Sequence, residues 1–438
     1  MHAWKTLRSA NTDIWLLWVS VFLQMFSFGV TNQVMVLFLE EIGIEAADIG
    51  TFMTLTLVGD VSISYFLSWN ADKIGRRAVL VAATVMMFGA GMVFATQSGF
   101  WVLLVAAIVG VISPSGDETG PFKTIEEASI AHLTPHNHRP EVFAFHGMFS
   151  TVGNAVGSLA GGLIVDFLNL TLEWDLISCY RAVFVAYALV AVAKFFLMVN
   201  LSERCEVRNG SEQSRLIENG SDESSEPSES HDAGSVDAGS TASVASRLLL
   251  VFFLDSLGYG FMPASWIVYY YKSMFGITAT LLGALFFFTS LSNTVTTIPS
   301  AFLAKRFGPV RAILMTQAPS SVIFMLIAGC TNFTVAAGLL FIYYSTTAMD
   351  VVPRQILITS VVKKEALTRV MGTVNTVKTF ARCVGPTFTG WFAANRMLNW
   401  CFVISGVFTL MCDGVLGVSF MSLDAEILKR QRVYHDMN

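Results

Sequence analysis

The chain predicts an all-α membrane protein of twelve transmembrane helices in two pseudo-symmetric six-helix bundles. Three observations carry this. Of its 438 residues, 54% are hydrophobic and only 13% charged, with a mean hydropathy of +0.60. A soluble chain is about one quarter charged, so this balance, with 35 Phe and 9 Trp, fits a surface that faces lipid. Twelve apolar stretches can be marked, each near or above the ~20 residues that cross ~30 Å of hydrocarbon as a helix. Finally, a short basic hairpin, Asp72-Lys73-Ile74-Gly75-Arg76-Arg77, lies between the second and third stretches. A degenerate copy, Lys305-Arg306-Phe307-Gly308-Pro309-Val310-Arg311, fills the corresponding gap in the second half. One such hairpin per half is the mark of a duplicated bundle.

The first stretch, 14–38, follows Trp4, Lys5 and Arg8 and runs without a small-residue cleavage site, so it reads as a retained spanning helix. Stretches 49–69 and 78–96 flank the first hairpin. The fourth, 100–133, is too long: Trp101 to Leu133 would extend about 50 Å as one helix. Its centre, Ser113-Pro-Ser-Gly-Asp-Glu-Thr-Gly-Pro121, holds two prolines and two glycines, which predicts a broken helix whose freed backbone groups need polar partners. The fifth, 143–168, carries Gly153, Gly157, Gly161 and Gly162, a cleared face for close packing. The sixth is 180–201. The seventh, 248–274, has a second candidate break at Gly258, Gly260 and Pro263. Stretches 278–304 and 310–331 flank the second hairpin. The tenth to twelfth are 334–362, 370–395 and 398–422.

Residues 202–247 separate the halves. They hold 10 acidic and 4 basic residues and 12 serines, too little apolar surface to offset ordering entropy, so a disordered tether is expected. The predicted organisation is a bundle over 1–201, a cytoplasmic linker over 202–247, a second bundle over 248–422 and a tail over 423–438. Ser224, Ser225 and Ser228 lie among acidic residues and would suit phosphorylation. With the N-terminus in the cytoplasm, 19 Lys and Arg fall in cytoplasmic segments and only Arg181, Lys272 and Arg396 in outer loops. This asymmetry predicts that both termini are cytoplasmic. Asn169 and Asn332 are then the acceptors available for glycosylation. The six cysteines show no paired spacing, and neither metal nor cofactor is expected.

Six spans, a central tether and six spans, with a basic loop after spans two and eight, resembles the major facilitator superfamily. Asp72, Lys73, Gly75, Arg76 and Arg77 match the family's loop pattern, Ser68 replaces its leading glycine, and Lys305 stands at the Asp position of the second copy. The segments Ser115–Phe122 and Phe253–Gly260 look like a poorly characterised branch of that family. The resemblance implies that spans one, four, seven and ten line a cavity, which nominates Gln24, Asn32, Gln33, Asp117, Glu118, Asp255, Tyr259, Trp266, Asp350 and Arg354. It also implies a gating loop of Asp72, Gly75, Arg76 and Arg77, with Lys305, Arg306 and Gly308 in the second copy. Asp72 could accept hydrogen bonds at a neighbouring helix N-terminus, where the dipole favours an anion, while Arg76 and Arg77 are placed at the lipid headgroups. The fifth span is similar to the glycine-rich motif of drug:proton antiporters, but lacks the proline expected before its last glycine pair. An arginine usual early in span four of proton-coupled relatives is also missing.

Charged residues within spans cost at least ~2.5–3.5 kcal/mol each on insertion scales, so each needs a reason. Asp117 and Glu118 sit at the predicted break of span four. Adjacent carboxylates in low dielectric repel, which favours protonation of one and suits proton coupling; pairing with Lys123, Lys378 or Arg382 is the structural alternative. Lys123 and Glu127 are four apart and can pair, with Glu126 beside them. Asp350 and Arg354 are also four apart. Lys378 and Arg382 stack on one face of span eleven, where like charges call for an anion. Tyr269, Tyr270 and Tyr271 read as interfacial anchors, and Asp60 and Asp413 as isolated groups in satisfied structural roles.

Together these residues predict a secondary active carrier, not an enzyme. It would move a small polar, anionic or zwitterionic organic solute by alternating access, driven by a proton gradient. It would work as a monomer in the lipid bilayer of the plasma membrane or a vacuolar or organellar membrane, without nucleic acid. A drug or cation:proton antiporter and a non-transporting receptor or scaffold are the alternatives. No nucleophile–base set, phosphate-binding loop or metal-ligand spacing is visible.

Overall fold

The computed structural model describes residues 11–110, 112, 121–134, 138–206, 238–361 and 364–436. The described residues are almost wholly helical. In the first half the helices are α1 (Thr12–Asn32), α2 (Met35–Glu41), α3 (Ala46–Ile74), α4 (Arg76–Thr96), α5 (Phe100–Val109), α6 (Pro121–Leu133), α7 (Arg139–Asp166) and α8 (Leu176–Val199). In the second they are α9 (Ala238–Phe261), α10 (Ala264–Phe275), α11 (Ala279–Phe307), α12 (Pro309–Ile327), α13 (Phe333–Thr347), α14 (Val351–Val361), α15 (Lys364–Ala394) and α16 (Asn399–Asp436). Ten stretches among the described residues are long and apolar enough to cross a membrane. The fourth span, as α5 plus α6, and the eleventh, α15, complete twelve. Trp101, Phe196 and Val418 are exposed, as lipid-facing side chains should be.

The spans that resist being one helix are the first, fourth, seventh and tenth, one family of pseudo-equivalent positions. The first breaks between α1 and α2 at Gln33, and the seventh at Pro263, which begins α10 from an extended backbone. The tenth passes through a tight 3₁₀ turn, Ala348–Asp350, before α14. In the fourth, α5 closes at Val109 and α6 opens at Pro121. The stretch 113–120, with Asp117 and Glu118, lies outside the described residues.

The duplication extends to detail. α3 ends at Gly75 with φ 103°, and α11 ends at Gly308 with φ 91°. Only glycine takes such angles cheaply, which lets the next helix start at once. In each case a distant carboxylate caps that next helix, satisfying its orphan N–H groups. Glu206 accepts from the Arg76 and Arg77 amides at 2.8 and 3.1 Å. Asp424 accepts from Val310 and Arg311 at 2.9 and 2.8 Å. The first edge of the predicted tether is therefore docked, with Ser202 donating to Asp13 and Glu206 capping α4, and at its second edge α9 begins at Ala238. Residues 207–237, with the serine cluster, lie outside the described residues.

Within the halves, α1 packs on α7, α4 on α8, α9 on α15 and α16, and α12 on α16. Between them, α7 packs on α11 and α3 on α15. Small residues allow both joints. A Cβ on Gly50 would lie 2.3 Å from the Pro386 oxygen, and one on Gly162 2.2 Å from the Ala279 oxygen. Asp166 adds a cap across the joint, accepting from Ala279 and Thr280 amides at 3.1 and 2.7 Å.

Among the described residues the apolar core has three parts. One, containing Phe38, Phe94, Phe184, Trp266, Tyr271 and Phe402, joins both halves at the face away from the termini. The other two, around Trp18, Phe122 and Cys205 and around Leu248, Leu357 and Phe420, each belong to one half and lie toward the terminal face. The halves therefore meet at the far face and separate toward the terminal face. This corrects the reading of the tyrosine run. Tyr271 is fully buried and donates to the Ala336 carbonyl at 2.8 Å, and Tyr269 donates to Glu40 at 2.6 Å. α10 packs within the protein, Tyr271 inside its own half and Tyr269 across to the first.

Candidate functional site

A cavity of about 420 Å³ opens within the second half. Its described lining comes from α9, α11, α12, α13, α14, α15, α16 and the 3₁₀ turn. The turn matters because it takes Asp350 off the helical track just before Arg354. Arg354 then reaches two carboxylates at once. Its Nε lies 2.6 Å from Asp350 Oδ2, and its Nη2 donates to Asp255 Oδ1 at 2.8 Å. A planar guanidinium is suited to such two-sided pairing in a way that an ammonium is not. Gln317 of α12 donates to the same Asp255 oxygen at 2.7 Å. The sequence paired Arg354 with Asp350 alone; the Asp255 contact, from a helix 99 residues away in sequence, is the larger part of the cluster.

α15 brings the other cations. Gly260 and Gly385 let α9 and α15 touch: a Cβ on Gly385 would meet the Gly260 carbonyl carbon at 2.0 Å. That close approach sets Lys378 5.7 Å from the centre of the Phe252 ring and Arg382 4.9 Å from that of Tyr259. Both line the cavity, with Asn293, Ser320 and Asn375 among its polar groups. The charged lining comprises Arg354, Lys378 and Arg382 against Asp255 and Asp350, an excess of one positive charge among the described residues.

Five of the site residues read from sequence, Asp255, Asp350, Arg354, Lys378 and Arg382, thus share one cavity, with Tyr259. Others are elsewhere. Asn32 accepts from Ser265 at 2.7 Å in the joint between halves, and Trp266 is fully buried. Gln33 borders a small far-side pocket. Gln24 accepts from Lys194. Of Asp72, α3 fixes the backbone only. Arg76 and Arg77 donate to the carbonyls of Ala128 and Val199. Lys305 is exposed, and Arg306 lies beside Phe307.

Two polar features escaped sequence reasoning. Glu126 does not sit idle beside a Lys123–Glu127 pair; it is fully buried and paired with Lys194 of span six at 3.6 Å. Lys194 was visible as a lone cation in an apolar stretch, but its partner is 68 residues away and only packing names it. Asp413 is the second. It is 4% exposed, and neither carboxylate oxygen has a hydrogen-bond partner among the described residues. The satisfied role expected of it is not what the structure shows.

Two duplicated six-helix halves, closed on one face and enclosing a charged cavity, define a polytopic membrane carrier. The chain belongs to the major facilitator superfamily, whose profile matches residues 17–234 and 248–435. It is 46% identical over 440 residues to an uncharacterized membrane protein of Saccharomyces cerevisiae, covering 97% of each chain. Among solved structures it is similar to a bacterial homolog of the human lysosomal transporter Spinster in an inward-facing, unoccupied conformation. That match has a TM-score of 0.69 and 14% identity, covering 94% of this chain and 98% of that one. It is also similar to a D-xylose-proton symporter, with a TM-score of 0.68 and 14% identity over 92% and 97% of the two chains.

Proposed function

We propose that this carrier moves a small polar, anionic or zwitterionic organic solute by alternating access, coupled to protons. The observation that carries the reading is the second-half cavity, where Arg354, Lys378 and Arg382 share one space with Asp255 and Asp350, three cations to two carboxylates among the described residues. An anion entering between Lys378 and Arg382 would relieve the repulsion of like charges on one helix face and gain charge-assisted hydrogen bonds. Asp255, Asp350 and Arg354 would reorganise as the solute binds. Asp117 and Glu118, at the interrupted fourth span, are the proposed proton-coupling carboxylates.

With both termini in the cytoplasm, the closed far face is the outer one and the cavity opens inward. Turnover then requires the α7–α11 and α3–α15 joints to part while the terminal face closes. The loop of Asp72, Gly75, Arg76 and Arg77, with Lys305, Arg306 and Gly308, is proposed to stabilise that second arrangement.

The test is a thermal-shift screen of the purified protein with anionic, cationic and neutral metabolites at about pH 5.5 and about pH 7.5. A ligand at a hundredfold excess over its Kd stabilises by about 2.7 kcal/mol. Hits among anions that vanish in Lys378→Gln and Arg382→Gln support the proposal. Hits confined to cations or lipophilic drugs would replace it with the antiporter reading.

A further inference from the structure

A second charged centre lies in the first half, outside the cavity. Glu126 on α6 and Lys194 on α8 are both fully buried, with side chains 3.6 Å apart. Ser20 of α1 donates to Glu126 Oε1 at 2.6 Å, and Lys194 donates to Gln24 of α1 at 2.7 Å. The ammonium also sits 3.6 Å above the Phe122 ring. Three side chains from spans one and four thus converge on a pair that joins spans four and six. Yet Glu126 Oε2 has no hydrogen-bond partner among the described residues. An ionised carboxylate offers about four acceptor sites, so this one is under-supplied with donors on its second oxygen.

Burying such a pair in place of apolar side chains seldom adds stability, because desolvation of two ions offsets their attraction. A fixed structural cross-link would be better served by satisfied hydrogen bonds. What the arrangement does provide is two charge states in one cradle. We propose that Glu126 is a proton-binding site, with Oε2 as the atom that takes the proton and Lys194 as the group that senses it. In the ionised state the pair is neutral. When a proton from water bonds to Oε2, the ammonium stays protonated, and the first half gains one net positive charge. Lys194 then keeps Gln24 and the Phe122 face but loses its ion pair, and the tie between α6 and α8 is weakened. Since α6 is the segment of span four that follows its break, this makes the fourth span responsive to protonation.

Other ionisable groups on elements packed around α6 shape the response. They are Lys123, Glu127 and His132 on α6 itself, Asp60 and Lys73 on α3, Arg76 on α4, and Glu141 and His146 on α7. Asp13 on α1 and Glu203 and Arg204 in the turn after α8 complete the set. Asp60 accepts from Ser64, Arg76 donates to the Ala128 carbonyl, and Asp13 holds Ser202. His146 is buried, its Nδ1 has no partner among the described residues, and it lies in electrostatic reach of Lys123, Glu127 and Lys194.

Infrared difference spectroscopy of the full-length protein, titrated between about pH 8 and about pH 5, tests this without any solute, with the proton itself as probe. Acidification should raise a protonated-carboxyl carbonyl band that is absent in Glu126→Gln and shifted in frequency in Glu126→Asp. In Lys194→Met the band should already be present at the alkaline end. A titrating band that is unchanged in both Glu126 variants overturns the proposal, as does an unaltered midpoint in Lys194→Met. If Glu126→Gln does not fold, the frequency shift in Glu126→Asp decides alone. The solute reading can fail while these bands behave as stated, and the reverse.

Discussion

Arg354 and Asp255 meet side to side in the second half, with Nη2 2.8 Å from Oδ1, while the same guanidinium keeps Asp350 at 2.6 Å from Nε. One cation thus holds two carboxylates from two interrupted spans. Removing it in Arg354→Ala leaves the buried Asp350 and the part-buried Asp255 without their shared cation, a loss of up to roughly 3–5 kcal/mol by analogy with broken buried pairs. The melting temperature should fall steeply. Arg354→Lys should recover only part of the stability, because an ammonium cannot bridge in two directions. Equal melting temperatures for wild type and Arg354→Ala would show that the bridge is not what holds the cluster.

The far-face joint leaves no room at Gly50, where a Cβ would sit 2.3 Å from the Pro386 oxygen and 2.8 Å from the Gly390 Cα. Gly50→Val should therefore wedge α3 from α15 and populate the state open on that face. A bias of about 1.4 kcal/mol changes the ratio of states tenfold. Thr54, which donates to the Cys383 carbonyl across this joint at 2.8 Å, is the reporter position. In Thr54→Cys, labelling by a membrane-impermeant thiol reagent should accelerate about tenfold when Gly50→Val is added. No acceleration would mean that the joint does not set the equilibrium.

Asp166 stabilises the same closed face by capping α11 from the other half. Losing a cap of this kind costs about 1 kcal/mol. Asp166→Ala should shift spin-label distances between the far ends of α7 and α11 toward longer values. An unchanged distance distribution would leave the cap without a conformational role.

The paired turns should respond unequally. A Cβ on Gly308 would lie 2.5 Å from the Asp424 Cγ, whereas one on Gly75 would meet only the flexible end of Glu206, at 3.1 Å. Both glycines have positive φ, so alanine strains both, but Gly308→Ala also displaces its cap. Thermal unfolding should place Gly308→Ala below Gly75→Ala by about 1 kcal/mol, the worth of that cap.

Cys205 lies under the first turn, outside the spans. Burial, reinforced by the Asp13 and Glu206 carboxylates, pushes its thiol up to about 12, against the opposing pull of Arg76 and Arg77. The thiolate is the reactive form. A raised value means that the thiol stays protonated through neutral pH and gains reactivity only as pH climbs toward it. Maleimide modification between about pH 7 and about pH 9 should run far slower than at an unperturbed thiol, whose value is ~8.5. Modification at the rate of a free surface cysteine would show that this turn opens.

Twelve spans, the duplication and the hairpin at Gly75 and Gly308 were legible in the chain, because lipid demands long apolar runs and a tight turn demands glycine. So were the breaks in spans four and seven, which proline and glycine announce. The break in span ten was not, since Asp350 and Pro353 look like ordinary helix residues with one proline among them. For the same reason the sequence could bring Arg354 to Asp350, its neighbour on one helix, but not to Asp255 or Gln317.

The sequence by itself determined what has to lie in the membrane and which charges are too costly there to be accidental. Only the tertiary structure decided how those charges combine. Pairing across 99 residues in Arg354–Asp255, or 68 in Glu126–Lys194, depends on which helix faces meet, and those faces are chosen by glycine contacts and core packing over the whole bundle. The same is true of a charge left without a partner. Asp413 looks like any other aspartate in an apolar stretch until its neighbours are in place, and then neither oxygen has a donor among the described residues.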